Sequence, residues 1–397
     1  MKKLILFIGF LILLTFLCFI YLIFRDIPQI DDSDLLLSKV EISQEENAYY
    51  SLKEAISKIY IPRGKQKIFN DIAYKDFWDE DFVKELLEKN EEVFEIFEKA
   101  VEYKYFQFPN LESSSYRFLS NESKNFLSRL SDLRKLIIIK SKNLLNQDKE
   151  KEALDLIIKL IKIGHMIEES STNDYIIYSF GVQVKRDGLN AFIKMIPDLS
   201  FSKEISKDYI NKLENFKENK EGLIRATKGE YENYLKEKEA LEEFLKNEVI
   251  FAYFSYKPNK TKKLMTDFYR DVINKINKDC HEIKNETYKP KEFPLKTKML
   301  FIGNALGKNL YEKKVSNAYL LLEIKCSEVL YIEAVKTLLA LKAYKIDKGE
   351  LPESLEALVP EYLIVLPKDP FDGKTLKYSP KEKIIYSING ERFSIDF

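Results

Sequence analysis

The side chains that most often do chemistry are scarce in this chain, with two histidines and three cysteines in 397 residues. His165 sits on the apolar side of "KLIKIGHMI", where a satisfied core or interface histidine is the expectation. His281 adjoins Cys280 at a polar helix end, with no partners at the three- or four-ligand spacing that zinc requires. Asp369 and Asp372 in "LPKDPFDGK" are the weak candidates for a cation such as calcium. Two carboxylates and a few carbonyls make a poor cage, and turn roles account for both aspartates. Acid clusters such as Asp79, Glu80 and Asp81, or Glu242 and Glu243, are expected on a solvated face in a chain with 64 acids. The patterns G-x-S-x-G, the P-loop and the dinucleotide-binding glycines do not occur in the sequence. The expectation is a protein that is not an enzyme, with no catalytic residues, cofactor or metal.

Composition narrows the class further. Lys plus Arg and Asp plus Glu stand at 64 each, with hydrophobic residues at 45%. A globular chain without a basic surplus is expected, and a nucleic-acid partner is not. Tyr and Phe are abundant, 24 and 27. At Tyr231, Tyr234, Tyr253, Phe254 and Tyr256 they recur at helical spacing and read as core, with an aromatic groove for peptide or glycan as the alternative.

The N-terminus bears on location. Lys2 and Lys3 precede an unbroken apolar run from Leu4 to Phe24, closed by Arg25. As a helix that run spans roughly 31 Å, against about 30 Å of hydrocarbon. Residues 1–25 therefore read as a cytoplasmic tip and transmembrane anchor in an inner or plasma membrane. The rest is expected outside the cytoplasm, with 26–45 as a linker. Cys280 and Cys326 could pair in that compartment or stay as buried thiols, and the sequence leaves both open.

The elements that follow are mostly helical. Apolar residues at helical spacing run over 46–61, 79–105, 122–145, 150–167, 173–195, 202–245, 265–278 and 315–347. A loop is expected at Pro109 and Ser113–Ser115, and another at "YKPKEFP", residues 288–294. The pair near 122–167 resembles a single tetratricopeptide-type hairpin, and residues 46–310 read as one α-helical domain. The 315–347 helix is apolar on several sides and should be buried on several. Gly349 closes it in the manner of a C′ glycine, Pro352 opens a short turn of helix, and Pro367 and Pro370 hold an extended loop ended by Asp372-Gly373. Asn389-Gly390 is a hairpin signal. A two-residue loop there pairs Tyr386 with Phe393 and Ile384 with Ile395, placing all four on one inward face over Val335, Leu338 and Leu339. A third strand is expected over 374–378.

"GELPESLEALVPEYL", "LPKDPFDGKTLKY" and "IIYSING" resemble the globular region of type II secretion major pseudopilins, over about residues 316–397. The resemblance implies an α+β module for 311–397, a long helix plus a three-stranded antiparallel sheet. "ENAYYSLKEA", "KPNKT" and "ALKAYKIDKGELPESL" are similar to stretches of uncharacterised membrane-anchored bacterial helical proteins. Together these imply a mainly α envelope protein, associated with secretion or pilus machinery, that binds or scaffolds a protein partner. An extracytoplasmic hydrolase and a structural pseudopilin-like subunit are the alternatives.

Overall fold

The structure is a computed structural model that describes residues 2–38, 40–108, 121–170, 175–200, 202–248, 256–284 and 304–397. The chain is mainly helical with one small antiparallel sheet near its C-terminus. It divides into two compact units, one from residues 1–37, 227–275 and 287–320, the other from 38–226, 276–286 and 321–397. This division does not follow the boundary expected at 310/311.

In the first unit, α1 spans Lys2–Phe24. Among the described residues, no helix is long and apolar enough to cross a membrane. The expected span at 4–24 falls partly on side chains outside the described residues. The first half of the stretch expected as a linker makes several side-chain contacts. Asp26 accepts from the backbone of Asn259 and Lys260, Asp32 pairs with Lys262 at 2.8 Å, and Arg270 grips Asp34 at 2.6 Å. These partners all lie on α11 (Pro258–Asn277), and Asp32 also accepts from the Tyr231 hydroxyl of α10 (Lys220–Glu248). Tyr231, Tyr234 and Tyr256 are core residues, as their spacing implies, and Tyr253 and Phe254 lie outside the described residues.

The second unit is a helical assembly carrying the sheet. Its helices are α2 (Ala48–Lys58), α3 (Gln66–Tyr74), α4 (Glu80–Lys89), α5 (Glu91–Glu102), α6 (Asn121–Asn146), α7 (Glu150–Glu168), α8 (Tyr175–Met195) and α9 (Lys203–Glu214). Two regions expected as continuous helices are each broken. The 79–105 region breaks at buried Asn90, whose amide donates to the carbonyls of Tyr60 and Leu86 and accepts from Tyr60 N–H. The 202–245 region breaks over residues 215–219, where Phe216 and Lys217 close the end of α9. The loops expected at 109–115 and 288–294 lie outside the described residues.

Helices α7 and α8 approach so closely that only glycine fits between them. A Cβ on Gly164 would lie 2.5 Å from the backbone N of Lys185, and one on Gly181 would lie 2.7 Å from that of Glu168. Residues Leu330–Ala343 of α13 (Ala305–Lys348) join the same core as α6, α7 and α8, so the C-terminal region has no core of its own. The short α12 (Cys280–Lys284) carries Cys280, which is disulfide-bonded to Cys326 of α13 with Cα atoms 5.6 Å apart. Cys326→Ser is expected to cost about 2–4 kcal/mol in chemical unfolding, the range for loops of this size.

The tail follows the expected order with a corrected register. Gly349 is left-handed at φ +84°, and a 3-10 turn spans Leu355–Leu358. Strands β1 (Lys377–Ser379), β2 (Ile384–Tyr386) and β3 (Arg392–Ser394) form an antiparallel sheet in that order. Phe393 pairs with Ile385, not Tyr386. Ile385, Phe393 and Ile395 are buried, while Ile384 and Tyr386 are only half-buried. The cause is a longer loop. Ser387 N–H bonds to Glu391 C=O, so residues 387–391 form the connection and Asn389-Gly390 is its centre, with Gly390 at φ +99°. The inward row moves by one residue.

Candidate functional site

Asp369 explains that longer loop. It is 1% exposed, and Oδ1 accepts from Phe371 N–H and Ser387 Oγ, both at 2.9 Å, while Oδ2 accepts from Ile388 N–H at 2.7 Å. One carboxylate thus joins the proline-rich loop to the hairpin loop. Asp372 accepts from Lys374 N–H, as an Asx turn. Among the described residues, no three His, Cys, Asp or Glu side chains come together to hold a metal. Asp369→Ala strands three donors, two partly buried and one buried, and a cost of about 2–3 kcal/mol is expected. Calcium is expected to leave the melting temperature unchanged. A calcium-dependent rise abolished by Asp369→Ala would reverse this assignment.

His165 belongs to a buried ionic group that the sequence reading missed. Lys185, fully buried on α8, places Nζ 2.6 Å from Glu168 on α7 and 2.9 Å from Glu328 on α13. The second contact is a charge–charge contact without an aligned hydrogen bond. Two carboxylates share one ammonium in the interior, so one of them favours the protonated form. Burial, reinforced by the Glu168 charge, pushes Glu328 up to about 8. Burial, with Lys185 nearby, pushes His165 down to about 4, and its ring stacks edge-on against Phe216. The signal available in the sequence was a lysine and a glutamate on apolar helix faces, at Lys185 and Glu328.

The next residues of α8 face elsewhere. Arg186 lies over the ring of Tyr331, and Asp187 opens into a cleft. Asp187 accepts from the Tyr74 hydroxyl at 2.8 Å and lies 3.1 Å from Arg134. The cleft has a volume of about 830 Å³, within the range of small-ligand sites. The end of α3, the segment Lys75–Trp78, parts of α6 and α8, and residues 392–394 and 396–397 line it. Phe77 is 46% exposed, and the chain's single tryptophan, Trp78, donates Nε1–H to Glu80. Lys142 of α6 and Lys194 of α8 close the end of α3. Lys142 donates to the carbonyls of Ile72 and Ala73, and Lys194 to that of Tyr74. Burial, with Lys194 adding repulsion, lowers Lys142 to about 8.

The structure thus separates the sequence candidates. Asp369, Gly373, Asn389 and Gly390 meet in the loop pair, and His165 lies in the ionic group. His281 packs with its ring atoms near where a Cβ on Gly373 would sit. Pro352 is tied to the sheet through its carbonyl, which accepts from Tyr378. Pro367 binds Leu376 N–H through its carbonyl. The cleft gathers aromatics from segments that carry no motif, and of the sequence candidates only Phe393 reaches it.

No protein-family model, no curated protein and no solved structure matches the chain.

Proposed function

We propose that this chain is a membrane-anchored, extracytoplasmic binding protein of the bacterial envelope, held by residues 4–24 with its N-terminus in the cytoplasm. It engages a protein partner through the cleft and performs no catalysis itself. The cleft carries the reading: an open depression of ligand-binding size with exposed aromatics is a binding surface maintained at the expense of burial. The Cys280–Cys326 disulfide supports an oxidising compartment. The resemblance of the tail to pseudopilins favours a partner in secretion or pilus machinery.

A photo-crosslinking residue at Phe77 tests the cleft in living cells. A discrete protein adduct is expected there and none from the same residue at Phe244, an exposed aromatic on α10. Absence of an adduct at Phe77 would overturn the reading. Proteolysis of spheroplasts tests the topology, and protection of residues 40–397 would refute it.

A further inference from the structure

An edge strand borders the cleft. Ser387 N–H bonds to Glu391 C=O and Ile395 N–H to Lys383 C=O, so residues 391, 393 and 395 turn their backbone groups toward β2. By the alternation of an antiparallel ladder, Arg392, Ser394 and Asp396 turn theirs away from it. Among the described residues, the N–H and C=O groups of these three make no hydrogen bond. The other edge of the sheet is partly covered, since Thr375 bridges Lys368 and Leu376 N–H bonds to Pro367 C=O just before β1. The free edge at Arg392–Asp396 instead lines the cleft. An uncovered edge is a template for another strand.

We infer that the cleft takes an extended peptide, a segment of the partner that adds to the edge of β3 as a fourth strand. This rests on the binding role proposed above and names the ligand class. Three outward N–H and three outward C=O groups complement a peptide backbone, which supplies the same alternation in return. The face of the sheet carrying Phe393 and Ile395 is apolar, and Tyr331 and Leu338 line the cleft beside it. Every second side chain of the added strand therefore meets apolar surface, and the others meet water. Of the charged side chains lining the cleft, Lys75, Lys142, Lys194 and Arg392 balance Asp76, Asp187, Asp198 and Asp396. That balance suits a segment of no net charge, recognised by its backbone and its alternate apolar side chains.

Trp78, as the only tryptophan, reports entry into the cleft by fluorescence. The full-length chain is titrated with synthetic heptapeptides that alternate apolar and polar residues and carry no net charge. A saturable change is expected for a subset of them. Ser394→Pro removes an outward N–H without touching the β2 ladder and is expected to weaken binding about tenfold. On the wild-type chain, N-methylation of a bound peptide is expected to weaken binding about tenfold at alternate amides and little at those between. Equal tolerance at every amide would overturn strand addition while leaving a cleft ligand in place. A response to chitotetraose with none to any peptide would likewise overturn the peptide assignment alone. Silence toward the whole panel overturns this inference, and the Phe77 adduct decides separately whether the binding role stands.

Discussion

Lys185→Met is expected to destabilise the protein by about 3–5 kcal/mol in urea unfolding at neutral pH, because it leaves the buried Glu168–Glu328 pair, which still carries a charge, without its cation. The loss should shrink in acid, where both carboxylates take up protons. Wild-type stability should itself depend on pH through the same group. Glu328 is held up to about 8 against an ordinary 4.5, so the folded chain keeps a proton that the unfolded chain releases. Its contribution is complete below 4.5, is lost as pH rises toward 8, and is constant above. Glu168, also raised by burial, acts in the same direction. His165, lowered to about 4 from 6.5, acts oppositely and costs stability as pH falls from 6.5 to 4. Between pH 6.5 and 8 Glu328 makes stability fall with rising pH, opposed near the upper end by Lys142, which burial lowers to about 8. Glu328→Gln should flatten that slope. A slope between pH 6.5 and 8 that Glu328→Gln leaves unchanged would refute the shared proton.

Phe393→Ala should cost about 3–5 kcal/mol, the range for a buried phenylalanine. The ring is 6% exposed, pairs across the sheet with Ile385 and meets Tyr331 edge-on at 5.2 Å. Its neighbours separate the two possible registers. Ile385→Ala should cost about 2–5 kcal/mol as a core truncation, and Ile384→Ala only about 1 kcal/mol as a half-buried one. Equal losses at 384 and 385 would contradict the observed pairing.

The helices were legible because a 3.6-residue apolar period is local, and α6, α7 and α8 fall within two residues of their expected ends. The breaks were not, since Asn90 stops a helix by bonding to Tyr60, thirty residues away. The hairpin register failed for the same reason. Asn-Gly marks a turn, but its length is decided by Asp369 holding Ser387 and Ile388 from another loop. Asp369 was visible as a candidate and misjudged in weight, because a turn aspartate and a buried tie look alike in sequence. The cleft was invisible. Its lining comes from five separate segments. Its aromatics at 74, 77 and 78 keep helical spacing although the helix ends at Tyr74, so the local pattern points to a helix face and not to a cleft.

The Cys280–Cys326 bond turns residues 280–326 into a covalent ring, and the whole 287–320 portion of the first unit lies within that ring. A protease that cuts once anywhere inside it leaves the two fragments joined, migrating as one species until reductant is added. Exchange of that portion between two copies of the chain would require the ring to open or be threaded, so intertwined dimers should form only under reducing conditions. A chain of this build can be nicked and remain one molecule.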